Sequence, residues 1–304
     1  MVMIPLLLVG FRSPAMPLVT LKSVMDDSRK NGYAVGSFNF NGIEDARGII
    51  EAAEEKKSPV ILMASMSAVD YFGGAAPVVA YVRALADQVS APVVLHVDHC
   101  TSLEMIKDCV DSGFSSVMID ASAKSFEENV EMTRRVVEYA ARFGVSVEGE
   151  LGKLGGREEN VDVNDREANM TDPDAAPEFV ERTGIDALAI AIGNAHGFYK
   201  GTPKLDFDRL IKIRGLVDCG LVLHGGTGIP EPDFQRAVRC GMNKINVGTE
   251  LKYCCCQTAR ETMAAKPDEI DIRKIVGGNR KACRDIVLHK IDLFGSAGKG
   301  AIIL

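Results

Sequence analysis

Ala187-Leu188-Ala189-Ile190-Ala191-Ile192 is apolar at six consecutive positions and runs on into Gly193-Asn194-Ala195-His196. A strand with one wet face alternates apolar and polar residues, so an unbroken apolar run ending in a glycine reads as a strand covered on both faces. Val93-Val94-Leu95 has the same character. Outward from these two, β-branched or apolar runs bounded by Gly, Pro or Ser recur at 33–40, 59–65, 92–99, 116–122, 145–152, 187–194, 221–228 and 244–249. Amphipathic segments lie between them, at 43–57, 77–89, 126–143 and 232–240 among others, with Ser125 placed to cap the third ahead of Glu127 and Glu128. Strand and helix therefore alternate along the whole chain. Eight such units in 304 residues predict a (β/α)8 TIM barrel, a single domain with an additional C-terminal helix; a doubly wound open sheet is the alternative.

Composition narrows the function. The chain is 46% hydrophobic and 25% charged, and 35 basic against 42 acidic side chains leave a net charge of −7 with no dense Lys/Arg cluster. Neither a nucleic acid nor an anionic membrane surface is expected as a partner. The apolar start, Met1 to Phe11, is interrupted by Pro5 and Gly10 and falls short of the ~20 residues a membrane span needs. No Lys or Arg precedes it as in a secretory signal. Residues 1–15 are read as an extension outside the fold and 16–304 as the barrel, because Thr20 followed by Leu21, Val24 and Met25 is the first cap-and-helix pattern. Eight cysteines are irregularly spaced without a CxxC pair, and Cys254, Cys255 and Cys256 fall on a helix where neighbours point about 100° apart. They read as reduced thiols packed as small hydrophobes, which points to the cytoplasm.

The histidines carry the chemistry. Of five, His96, His99, His196 and His224 lie on or just past the C-terminal ends of the third, sixth and seventh strands, whereas His289 sits in the terminal helix and reads as solvated. Strand ends of one barrel converge on one mouth, and neutral imidazoles are common zinc ligands. Asp98 stands beside them, as an orienting carboxylate or a proton-transfer group. Glu148 and Glu150 share one face of the fifth strand and Asp120 ends the fourth; they read as ligand-orienting partners, a second metal position or salt-bridged groups. His224-Gly225-Gly226-Thr227-Gly228 and Asn246-Val247-Gly248-Thr249 leave the seventh and eighth strands, where barrels bind phosphate. An acidic, apolar-poor loop between Gly152 and Asp174 follows the fifth strand on the same face and reads as a lid.

The ordered motifs Phe38-Asn39-Phe40, Leu95-His96-Val97-Asp98-His99, Val147-Glu148-Gly149-Glu150-Leu151-Gly152, Asn194-Ala195-His196-Gly197, His224 to Gly228 and Lys244-Ile245-Asn246-Val247-Gly248-Thr249 resemble the class II, metal-dependent fructose-bisphosphate and ketose-bisphosphate aldolase family from Met16 to the end. The resemblance implies zinc ligands at His99, His196 and His224, a catalytic Asp98, and a proton-exchanging Glu158 in the lid. It implies substrate contacts from Gly197, Gly225, Gly226, Thr227, Asn246, Val247, Gly248 and Thr249, with Asn39, Ser65 and Arg280 near the far end of the sugar. Asp120 and Glu150 match a second, alternative metal position of some relatives, and a monovalent cation (Na+ or K+) is implied near the phosphate segments. Cys100, Gly149, Met66, Gly248 and Phe198 depart from the family's commoner residues without removing a ligand.

The implied reaction is the retro-aldol cleavage of a ketose bisphosphate, fructose 1,6-bisphosphate ranking first, to dihydroxyacetone phosphate and glyceraldehyde 3-phosphate. Asp98 would take the C4 hydroxyl proton, Glu158 would protonate the three-carbon product, and zinc or a similar divalent ion would serve as electron sink in place of a Schiff-base lysine. A homo-oligomer, dimer or tetramer, is expected. Tagatose 1,6-bisphosphate or a deoxy-keto sugar acid phosphate are the sister substrates. A barrel metallohydrolase and a non-catalytic sugar-phosphate binder are the rivals of other classes.

Overall fold

A computed structural model describes residues 18–152, 170–199 and 201–300, together with the backbone of Gly155–Gly156. Eight parallel strands close a barrel in chain order: β1 (Val35–Asn39), β2 (Val60–Ser65), β3 (Val93–Cys100), β4 (Ser116–Ile119), β5 (Ser146–Leu151), β6 (Ala187–Ile190), β7 (Gly220–Leu223) and β8 (Lys244–Val247), with β8 pairing back onto β1. The open-sheet alternative is thereby set aside. Each predicted strand is present, but those expected to reach 122, 194 and 228 stop at Ile119, Ile190 and Leu223. Ala191 and Ile192 are still buried, so apolar character continues past the point where strand pairing ends.

Strand alternation divides the core in two. Val35, Ile61, Met63, Val94, Met118, Ala187, Ala189 and Val222 form one cluster inside the barrel with Leu21, Val24 and Met25 of the first helix, Leu21–Asn31. The opposite strand faces, among them Phe38, Leu62, Leu95, Val117, Leu188 and Leu221, join the surrounding helices in a larger outer cluster. The first helix starts where the sequence indicates, with Thr20 accepting from the Ser23 amide, and it stops at Gly32 in the left-handed conformation. Its Lys22 amide donates to Ser146 Oγ at the start of β5, and Gly220 at the start of β7 leaves room for Met25. The helix therefore plugs the N-terminal mouth of the barrel.

The additional C-terminal helix is present as Gly278–Phe294, packed on the helix Ile43–Lys56. Gly48 permits that contact, since a Cβ there would lie 2.5 Å from the Arg280 carbonyl oxygen. Cys254 to Cys256 fall on the helix Thr249–Ala265, and Cys100, Cys109, Cys219 and Cys283 are buried as free thiols. Residues 1–15 lie outside the described residues. No described helix is long and apolar enough to cross a membrane.

Candidate active site

The C-terminal mouth is built by the last inward-facing residues of the strands. Asp98 and His99 are consecutive on β3, so a regular strand would send them to opposite faces. The strand is not regular there. Its pairing with β4 advances from Val97 to Cys100 while the partner advances only from Val117 to Ile119, leaving one extra residue on β3. His99 takes a left-handed backbone, φ 46°, one of two described non-glycine residues to do so. The bulge turns His99 into the mouth without displacing Asp98, and the strained backbone sits at the site it serves.

His99, His196 and His224 come together, their candidate ligand atoms within 4.8 Å of one another. The ring nitrogens His99 Nε2 and His224 Nδ1 face each other at 2.7 Å. Each of these two rings is anchored through its other nitrogen: His99 Nδ1 lies 3.0 Å from Asp120 Oδ2, and His224 Nε2 lies 2.8 Å from Glu148 Oε1. Carboxylates that hold the far nitrogen of an imidazole fix its orientation and leave the near nitrogen to bind a metal. Burial, then the charges of His99 and Lys244, push the His224 pKa well below its ordinary value, so the ring is neutral as a ligand must be. This donor set fits a zinc ion: three imidazoles, closely spaced, with two oriented from behind. A second group, His99, Asp120 and Glu150, also has donors close enough for a metal.

His96 is not in the cluster. It lies one layer deeper, fully buried, with Nδ1 2.8 Å from Ser116 Oγ and Nε2 3.7 Å from Glu148 Oε2. Burial and the nearby Lys244 charge hold it neutral.

Asp98 is 3% exposed, accepting from Asn39 Nδ2 at 3.2 Å and from Asn246 Nδ2 at 3.4 Å. Burial would raise its pKa, but the neighbouring His99 and His224 rings, Lys244 and the Asn39 bond outweigh it and hold the carboxyl below its ordinary value. The group is ionised at neutral pH and can accept a proton.

Beside Asp98 opens a cleft of about 130 Å³ floored by Gly197, Gly225, Gly226, Thr227, Gly248 and Thr249, with Lys252 at its edge. Three of these glycines are required by close approach. A Cβ would lie 2.2 Å from the Ala195 carbonyl at Gly225, 2.5 Å from the Asn246 carbonyl at Gly226, and 2.2 Å from Asn39 Oδ1 at Gly248. Gly225 also has φ 64°, in the left-handed region. The Tyr199 hydroxyl accepts from the Ala195 amide and donates to the Gly225 carbonyl, tying the loops after β6 and β7 together. Thr227 Oγ1 accepts from the Glu250 amide, tying the β7 loop to the helix after β8. Val247 faces the outer core, so only its backbone is available to the cleft. A larger cleft of about 600 Å³, lined by Leu18, Arg83, Asp111, Phe114 and Val145 among others, lies at the opposite, N-terminal end. It contains none of the histidines, so chemistry rather than size marks the site.

Two residues expected near the sugar's far end do not reach this cleft. Ser65 ends β2 in register with Asp98, but its hydroxyl caps the helix Met66–Tyr71 by accepting from the Ala68 amide. Arg280 lies on the C-terminal helix, where Nε donates to Glu51 Oε2 at 2.7 Å. Glu158 lies outside the described residues. The loop it belongs to starts beside the cluster, because Gly155–Gly156 pairs in parallel with Ala195–His196. Tyr199 and Lys252 carry no sequence pattern of their own, and Lys244 has no role among the sequence expectations. For Lys244 a signal existed: it shares strand parity with Asn246 and therefore faces inward.

Comparison with known proteins points the same way. The family description "Fructose-bisphosphate aldolase class-II" matches residues 19–299. The chain is 48% identical over 288 residues to a fructose-bisphosphate aldolase of Geobacillus stearothermophilus, covering 94% of this chain and 100% of that one. A fructose-bisphosphate aldolase of Staphylococcus epidermidis is 46% identical over 286 residues, covering 93% and 99%. Among solved structures, the YdjI aldolase from Escherichia coli K12 superposes with a TM-score of 0.81 at 37% identity, covering 93% of this chain and 100% of that chain.

Proposed function

The chain belongs to the class II fructose-bisphosphate aldolase family, and from that membership we propose that it cleaves fructose 1,6-bisphosphate reversibly to dihydroxyacetone phosphate and glyceraldehyde 3-phosphate. The observation that carries this reading is the placement of ionised Asp98 between the three-histidine cluster and the glycine-floored cleft. The cleft, lined by Thr227 and Thr249 with Lys252 adding positive charge, would take one phosphate.

His99, His196 and His224 would hold a zinc ion, with Asp120 and Glu148 orienting two of them. When bound, the ion supplies Lewis-acid polarisation of the substrate carbonyl. Asp98 accepts the proton of the C4 hydroxyl as the C3–C4 bond breaks, and the electron pair of that bond passes to C3 and the adjacent carbonyl. Asn39 and Asn246 keep its carboxylate oriented by donating to both oxygens. Glu158, carried by the loop that starts beside His196, then returns a proton to C3 and completes dihydroxyacetone phosphate. The family resemblance also implies a monovalent cation, Na+ or K+, near these loops. Arg280 would serve the second phosphate only across a subunit boundary, in a homo-oligomer, since within one chain it is engaged with Glu51.

The test is release of dihydroxyacetone phosphate from a panel of ketose phosphates, with and without chelator. Fructose 1,6-bisphosphate is expected to turn over fastest, and only with metal present. A higher kcat/KM on tagatose 1,6-bisphosphate or a keto sugar acid phosphate would replace the substrate, and phosphate release without carbon–carbon cleavage would replace the reaction.

A further inference from the structure

Lys244 opens β8 inside the barrel, and a buried lysine in an aldolase invites an obvious reading, an amine that attacks the substrate carbonyl. The geometry points elsewhere. Its side chain is 0% exposed, and Nζ donates at 2.9 Å to Glu148 Oε2, itself 0% exposed on β5. An enclosed ammonium held by a carboxylate has neither a free lone pair nor a path to substrate. The other oxygen of the same carboxylate, Oε1, accepts from His224 Nε2 at 2.8 Å. Lys244, Glu148 and His224 are thus one line of contacts from three strands, β8, β5 and the end of β7, meeting in the barrel interior.

We propose that Lys244 is a positioning residue for His224, acting through Glu148: by holding Oε2 it presents Oε1 to Nε2 and leaves His224 Nδ1 turned toward His99 and His196. Two observations on the same residues support it. Glu148 has alternatives to serving His224, since His96 Nε2 lies 3.7 Å from its Oε2, and Lys244 occupies that oxygen. The ring of His224 also needs a fixed partner, because Asn246 Nδ2 lies 3.1 Å from Nδ1 and 3.5 Å from Nε2 and does not by itself choose between ring orientations. The inference rests on His224 being a metal ligand, and it adds a residue one contact further out that no ligand-spacing rule would identify.

The experiment measures zinc affinity of the full-length protein by competition with a chromophoric chelator, and the visible spectrum of its Co²⁺-loaded form, for the wild type, Lys244→Met, Glu148→Gln and the double variant. Lys244→Met is expected to weaken zinc binding about 10–100-fold and to alter the Co²⁺ spectrum, the scale seen when outer partners of metal ligands are lost. Because Lys244 acts through Glu148, the double variant should bind zinc no more weakly than Glu148→Gln alone. Wild-type affinity in Lys244→Met overturns the proposal, as does a double variant weaker than Glu148→Gln by the full Lys244→Met factor. Should Lys244→Met fail to fold, the comparison of the double variant, which has no unpaired buried charge, with Glu148→Gln decides in the same way. Borohydride trapping of dihydroxyacetone phosphate on Lys244 would also overturn it. A wild-type protein that takes up no zinc removes the metal reading and this inference together, whereas zinc uptake unaffected by Lys244→Met removes this inference alone.

Discussion

On β3 the inward positions run Val94, His96, Asp98; on β1 they run Val35, Ser37, Asn39; on β7 Val222 is followed by His224. The same strands that are apolar at the N-terminal end of the barrel turn polar within two alternations, and β3 turns ionic at Asp98. At the lower end those residues pack on Leu21, Val24 and Met25 of the plugging helix. At the upper end the buried Glu148 and Lys244 neutralise each other, with the neutral His96 beside them, beneath the three-histidine cluster. The difference teaches a division of labour that a barrel makes easy: stability is contributed where strands enter, chemistry where they leave. It also explains how so polar a layer can be buried at all, since Lys244 and Glu148 meet across the barrel and Asp98 takes its donors from Asn39 and Asn246 on other strands.

Four experiments break or sharpen that contrast. The largest effect is expected from stripping divalent metal, which should take aldol cleavage to background and be reversed by Zn²⁺, while far-UV circular dichroism stays native because the apolar lower layer is untouched. Loss of secondary structure on chelation would show that the two ends are not separable. Next, Asp98→Asn should lower kcat by about 10²–10⁴-fold, the usual contribution of a positioned proton acceptor, with the melting temperature within a few degrees of wild type. A variant within tenfold of wild type would take Asp98 out of the proton transfer.

At the other end, Met25→Ala removes a buried side chain that fills space over Gly220, at a cost of about 2–5 kcal/mol. The melting temperature should fall by roughly 5–15 °C. The kcat measured well below that temperature should hold within twofold, and a matching fall in kcat would mean that the plug also sets the geometry of the mouth. The smallest effect is expected from deleting residues 1–15, which are expected from the sequence to be an extension outside the fold. Activity and melting temperature should be unchanged, and a clear drop in stability would assign the apolar extension to the lower end.

The barrel was legible because its evidence is local. Eight apolar runs announce strands covered on both faces whatever they pair with, and caps such as Thr20 and Ser125 act on amides three residues away. The convergence of the strand-end histidines and the glycine-rich loops was legible for a related reason: in a parallel barrel every strand ends at the same mouth, so position along a strand already implies convergence. Strand ends were overestimated where buried residues such as Ile192 carry on past the last pairing, because burial and ladder hydrogen bonding are different conditions.

What the chain determined alone is therefore the order of elements, the mouth on which the chemistry sits, and the residue types that can bind metal and phosphate. Only the tertiary structure decided that Asp98 and His99 both face that mouth, since the bulge exists by virtue of the register β3 keeps with β4. It also placed His96 one layer below the three-histidine cluster, tied Lys244 to Glu148 across the barrel, and paired Arg280 with Glu51. The reason is range: propensity, capping and alternation are settled within a few residues, whereas a buried charge takes its role from a partner that the closing of the barrel brings from 96 positions away.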